Sequence, residues 1–179
     1  VVGGAVVNMA YDSRPETRGH IERVRLFLGY AIEDLQARSD AHDQSKLIEP
    51  ELAAFDIATP KLATLEYGSE EYRESLRELG PALDHHFSQN DHHPEHYENG
   101  CAGMSLMALI EMLCDWRAAS ERVKQRTDGD TYLSKSFEEG LAYNQERFGY
   151  SDEVAAILLN TARELGFAAP PPESEEGGE

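Results

Sequence analysis

Apolar residues recur at intervals of three and four along almost the whole chain, and no segment alternates apolar and polar residues as a half-buried strand would. That spacing gives each segment one helical stripe to bury. The expected fold class is therefore all-α, a single helical domain of about six helices. Ile21, Val24, Leu28, Ala31 and Leu35 form the first stripe. Ser13 and Pro15 before it suit an N-cap and first turn, which predicts a helix over about 15–38. Residues 41–56 read as a shorter helix with Pro50 at a boundary. Residues 58–69 read as a loop punctuated by Pro60 and Gly68. Ser69, followed by Glu70 and Glu71, opens a third helix striped by Tyr72, Leu76, Leu79 and Leu83, which Gly80-Pro81 should kink. After a loop over 90–103 comes a strongly apolar central helix from Met104 to Val123. Another helix carries Phe137, Leu141 and Phe148. Ser151 caps the last one, whose inward residues are Val154, Ile157, Leu158, Thr161 and Leu165, with Gly166 as its stop.

A length of 179 residues suits one core. The helical domain is placed at 15–167. Residues 1–14 read as a flexible extension and 168–179 as a disordered, Pro-rich acidic tail. No apolar run approaches the roughly 20 residues of a membrane span. The beginning of the sequence also lacks the basic stretch of a secretory signal, no membrane partner is expected, and two cysteines that make no disulfide framework imply a cytoplasmic location. The formal net charge of −18 counts against duplex nucleic acid and anionic membranes as partners. It leaves room for a small phosphorylated substrate, because a metal can supply local positive charge. Cys101 and Cys114 match no metal or redox spacing and read as reduced core residues. A homo-oligomer is compatible with all of this.

Five of the seven histidines fall in DHHFSQNDHHPEH, residues 84–96. Stepping on from Leu83, position 86 continues the buried stripe, so His86 points inward and His85 is rotated away. His96 reads as a loop residue. The same phase puts His20 on the inward side of the first helix. Asp115 stands in the most apolar stretch, LMALIEMLCDW, where a carboxylate is costly unless paired or metal-bound. Trp116 beside it reads as core packing. His20, His42-Asp43, His86, His92-His93 and Asp115 form an ordered set of imidazoles and carboxylates, the donors expected for a divalent transition metal (Mn, Fe, Zn, Ni or Co).

In that order on helices, His20, His42-Asp43 and Asp115 resemble the HD superfamily of metal-dependent phosphohydrolases. HDQSK at 42–46 resembles the HDxxK of its cyclic-dinucleotide branch. His86 and His92 are only six residues apart and no GYP motif follows, which counts against hydrolysis of cyclic dinucleotides. The chain is also similar to an uncharacterised phage and bacterial family with HDxSK, HHxxxNxHH and EMxxDW motifs, here His42–Lys46, His85–His93 and Glu111–Trp116. The resemblance implies one metal on His20, His42, Asp43 and Asp115. It implies a second on His86, His92 and His93, with Asp43 bridging. It also implies a bacterial or phage-infected host cell.

One or two metals per chain would activate a hydroxide and hydrolyse a nucleotide or other small phosphate ester. Asp43, Lys46 and Glu111 are the expected catalytic residues. Lys46, Asn90, Arg117 and Arg122 are the expected substrate contacts, Asn90 alternatively orienting a histidine. The same donors suit two other roles: a non-catalytic nucleotide- or metal-binding protein, and an HD-type di-iron oxygenase, which uses four His and two Asp. The plainer alternative is a structural metal, or histidines satisfied in the core without one.

Overall fold

The computed structural model describes residues 11–65, 69–126 and 136–171, without the side chains of 122–126. Among these residues there are seven α-helices and no strand. The expected extension over 1–10, the tail beyond 171 and the side chain of Arg122 lie outside the described residues.

α1 spans Arg14–Ala41, with Pro15 in its first turn as expected, and continues past the predicted end to the His42 C-cap. The helix predicted over 41–56 is instead two pieces. A 3-10 turn covers Gln44–Leu47, and α2 covers Leu52–Leu62. Pro60 sits inside α2 rather than in a loop. A proline in the last turn removes only the bond to the carbonyl of Asp56, and both residues face solvent, where water replaces it. Gly80-Pro81 does more than kink its helix. Gly80 takes φ +44°, which ends α3 (Glu70–Leu79), and Pro81 becomes the first residue of α4 (Pro81–Gln89). Six expected helices thus become seven. Short 3-10 turns at Pro94–His96 and Gly100–Gly103 carry the chain to α5, Leu106–Arg126. There the Ser105 hydroxyl accepts the Ala108 N–H at 3.1 Å.

α6 (Phe137–Phe148) opens with a full capping box between Ser136 and Glu139, and α7 (Asp152–Glu164) is capped by Ser151. The apolar core lies among α5, α6 and α7, where Met112, Leu113, Phe137, Leu141, Tyr150, Leu158 and Ala162 are buried together. The Tyr150 hydroxyl donates to the Leu141 carbonyl at 2.9 Å, so its polar end is satisfied. Trp116 stacks on Phe148 with centroids 5.9 Å apart, a packing role as expected. Cys101 joins this core, but Cys114 is exposed, contrary to the expectation that both are core residues. Leu113 on one side of it and Asp115 on the other already fill the inward positions of that turn.

Candidate metal centre

Four backbone events bring the donors together. The end of α1 delivers His42 as C-cap, and Asp43 follows in the left-handed region at φ +56°. That conformation disfavours most side chains, though Asp tolerates it better than most. Here it turns the Asp43 carboxylate back toward His42. α4 presents His86 from its buried face. The turn after α4 delivers His92 and His93 together. His93 is extended (φ −97°, ψ 131°), as a residue before proline must be, so two neighbouring rings stay on one side with centroids 4.1 Å apart. α5 supplies Glu111 and Asp115, one turn apart on the face opposite Leu113.

Among the described residues, donor atoms within 4.8 Å of one another fall into three groups: Asp43 with His86, His92 and His93, and Asp43 with His42 and Asp115, which share Asp43, and a third of His42, His92 and Glu111. The His86 Nε2 is 3.4 Å and the His92 Nε2 3.7 Å from Asp43 Oδ1. His42 Nε2 is 3.6 Å from Asp43 Oδ2 and 3.7 Å from Asp115 Oδ1. Ligands about 2.1 Å from one metal stand roughly 3.0–3.4 Å apart, so this spacing is close to that of a coordination shell.

Two carboxylates set which nitrogen of three of the rings faces inward. Glu111 Oε1 accepts from His42 Nδ1 at 2.9 Å and lies 3.1 Å from His92 Nδ1. Its other oxygen accepts from Arg38, which also grips Asp91 with two bonds. Glu51, fully buried, accepts from His86 Nδ1 at 2.9 Å through Oε2 and faces His85 Nδ1 at 2.7 Å through Oε1. Ser45 donates to the same Glu51, and Asn90 donates to Ser45 and to the His86 carbonyl. With Nδ1 facing a carboxylate, His42, His86 and His92 each turn Nε2 inward, as a bare lone pair wherever the ring is neutral.

Two inward atoms, Asp43 Oδ1 and His92 Nε2, are buried without a hydrogen-bond partner. Burying such atoms unpaired is costly, and a cation bound between them would satisfy both. The Nε2 atoms of His86 and His93 face each other at 2.9 Å, a contact that needs either a shared proton or an ion. The residues present therefore fit a metal.

The electrostatics point the same way. The Asp115 hydrogen bond raises His42, against burial, to about 9, so a proton on this ring stands where positive charge is wanted. Burial alone would raise Asp115, but His42 and the neighbouring rings hold it at about 2. Burial and the adjacent His92 and His86 push His93 down to about 3, and burial also lowers His86 and His92. Burial opposes the ionisation of Glu51 and Asp43. Glu51 nevertheless stays low through His85, Ser45 and His86, and Asp43 through Lys46 and His42.

Six of the seven expected metal ligands meet: His42, Asp43, His86, His92, His93 and Asp115. His20 does not. It is exposed on α1, and because that helix is unbroken from Arg14 to Ala41 it stands about 33 Å from His42 at 1.5 Å per residue. Glu111, expected as catalytic, accepts from the His42 ring and from Arg38 and lies 3.1 Å from His92 Nδ1, so it meets these two rings on their Nδ1 side. Lys46 stands at the edge of the donor groups, 2.7 Å from Asp43 Oδ2 and over the Phe55 ring. Asn90 takes the orienting role of its two alternatives. Arg117, expected to contact substrate, is two residues past Asp115 and therefore on the far side of α5. There it lies over Phe137 and Phe167, each 5.8 Å away, and pairs with Glu121. His85 meets Glu51 and His96 meets the Phe87 carbonyl, and neither joins a donor group. Glu51 and Arg38 went unnoticed in the sequence. A cleft of about 290 Å³ opens on the Nδ1 side of His42 and His92, beside Arg38, Asp91 and Glu111.

Residues 9–164 match a family of unknown function, DUF5662, and the chain belongs to it. No curated protein and no solved structure matches the chain.

Proposed function

We propose that the chain is a metal-dependent phosphohydrolase of the HD type, acting on a nucleotide or other small phosphate ester. The observation carrying this reading is the pair of donor groups that share Asp43, with Asp43 Oδ1 and His92 Nε2 left unpartnered at their meeting point. His42, Asp43 and Asp115 would hold one ion, and His86, His92 and His93 with Asp43 a second. Bound ions supply Lewis acidity toward a phosphate oxygen and lower the pKa of water, the chemistry that phosphoester hydrolysis needs near neutral pH. Glu111 behind His42 and His92, and Glu51 behind His86, would keep those three rings in the ligating tautomer. Lys46 keeps an ammonium beside Asp43 at the rim, where a phosphate oxygen can become its partner.

One observation favours a second reading. Without His20 the donor set is four His and two Asp, the composition of HD-type di-iron oxygenases. Metal identity separates the two. The test is elemental analysis of tag-free protein and of Asp43→Asn, which keeps a residue suited to the left-handed region. One or two equivalents of a transition metal, lost in the variant, with phosphate released from a panel of nucleotides and phosphate esters, is the expected result. Iron together with substrate-dependent O₂ uptake would move the protein to the second reading. Metal bound with no turnover on any substrate would make it a binding protein. No metal after reloading would end all three.

A further inference from the structure

Among the described residues, the first half of α1 has no partner. Every residue from Tyr11 to Leu28 is exposed, and no residue of the helix is buried. Yet this half and the turn after it carry several large apolar side chains among their charges. Ile21 is 45% exposed, Val24 40%, Phe27, Leu28 and Tyr30 57% each, and Ile32 68%. Ile21, Val24 and Leu28 lie on the same face as Ala31 and Leu35, which are partly covered where α1 packs on α5. The stripe is continuous, but the domain beneath it stops. A water-exposed helix that is apolar on this scale is one whose cover lies elsewhere.

We propose that a second copy of this chain covers it, the two α1 helices packing antiparallel across a two-fold axis. Charge selects that occupant. The chain as a whole is strongly acidic, at −18, but the exposed half carries Arg14, Arg18, Arg23 and Arg25 against Glu16 and Glu22. The second half carries Glu33, Asp34 and Asp40 against Arg38 alone. An antiparallel pair sets the basic half of each helix beside the acidic half of the other, whereas a parallel pair stacks like on like. A two-fold contact also uses every apolar side chain of the arm twice, and it extends the α1–α5 packing rather than starting a separate interface.

The test is the mass of the full chain in solution from micromolar to millimolar concentration, by sedimentation equilibrium. The double variant Phe27→Glu, Leu28→Glu is compared with it. Both positions are exposed, so the variant should fold, with circular dichroism as the check. The wild type should be dimeric and the double variant weaker in self-association by at least about tenfold. A second variant, Arg23→Glu with Arg25→Glu, should weaken the dimer and reduce its sensitivity to salt. A wild type that stays monomeric would overturn the proposal, whether or not the arm then binds anionic phosphatidylserine vesicles. So would a dimer indifferent to both variants.

Discussion

α5 separates two interiors of opposite character. Leu113 faces Phe137, Leu141 and Leu158 in a wholly apolar cluster. Glu111 and Asp115, two residues to either side, face His42 and His92, behind which Glu51, His86 and Asn90 are also buried. The apolar interior is held by area removed from water and is complete within the chain. The polar interior is held by hydrogen bonds from rings to carboxylates, and its centre has unpaired atoms. One interior supplies stability unconditionally. On the proposed reading a bound cation would add to the other, because a ligand that binds only the folded state stabilises by mass action.

The largest expected effect is on the apolar side. Leu113→Ala should cost about 2–5 kcal/mol by denaturant titration. The cost should be equal with and without added metal, and metal per folded chain should be unchanged. A cost that depended on metal would mean the two interiors are coupled through α5.

Glu51→Gln is the matching change on the polar side. An amide offers a donor where His86 presents its Nδ1–H, so the ring is driven to the tautomer with its proton on Nε2. The expected cost is about 1–3 kcal/mol in the metal-free protein. Metal affinity by competition titration should fall about 10- to 100-fold. Unaltered affinity would show that Glu51 is structural only.

A third comparison uses pH. His42 is raised above its ordinary 6.5 to about 9. The folded metal-free protein therefore holds a proton that the unfolded chain gives up, and this stabilisation is complete below pH 6.5 and lost as pH rises through about 9. The melting temperature of the metal-free protein should fall over that window, and the fall should be absent in His42→Asn. Metal binding displaces the same proton, so affinity should rise over the same window.

The smallest effect is the sharpest check on the boundary of the polar interior. His20→Ala should change stability by less than about 0.5 kcal/mol and leave metal content as it was. Metal lost in this variant would place the far half of α1 in a metal site.

How far the centre was legible depends on how local each residue's cause is. His86 followed from the phase of a buried stripe, and Asp115 from the cost of a carboxylate among apolar residues. His42-Asp43 and His92-His93 were legible as donor types, but their convergence was not. It depends on a left-handed Asp43 and on Pro94 holding His93 extended, neither of which a periodicity records. Phase also misled at His20, because a stripe tells which way a side chain faces and not whether the domain reaches that far. Glu51 lay in EPELAAF, where an acid reads as an ordinary helix start. Its burial comes from α4 packing across it. Arg117 looked available because it neighbours Asp115, yet two residues along a helix is the opposite side.

The sequence by itself determined the all-helical class, the α5 stripe with its misplaced carboxylate, and the kinds of donor a metal would find. These are consequences of spacing and of side-chain chemistry, which are local. Only the tertiary structure decided which imidazoles meet, which nitrogen His42, His86 and His92 turn inward, that Glu111 and Glu51 stand on the Nδ1 side of the rings, and that among the described residues half of α1 is left uncovered. Those depend on where separate helices cross and end, and no stretch of chain carries that information alone.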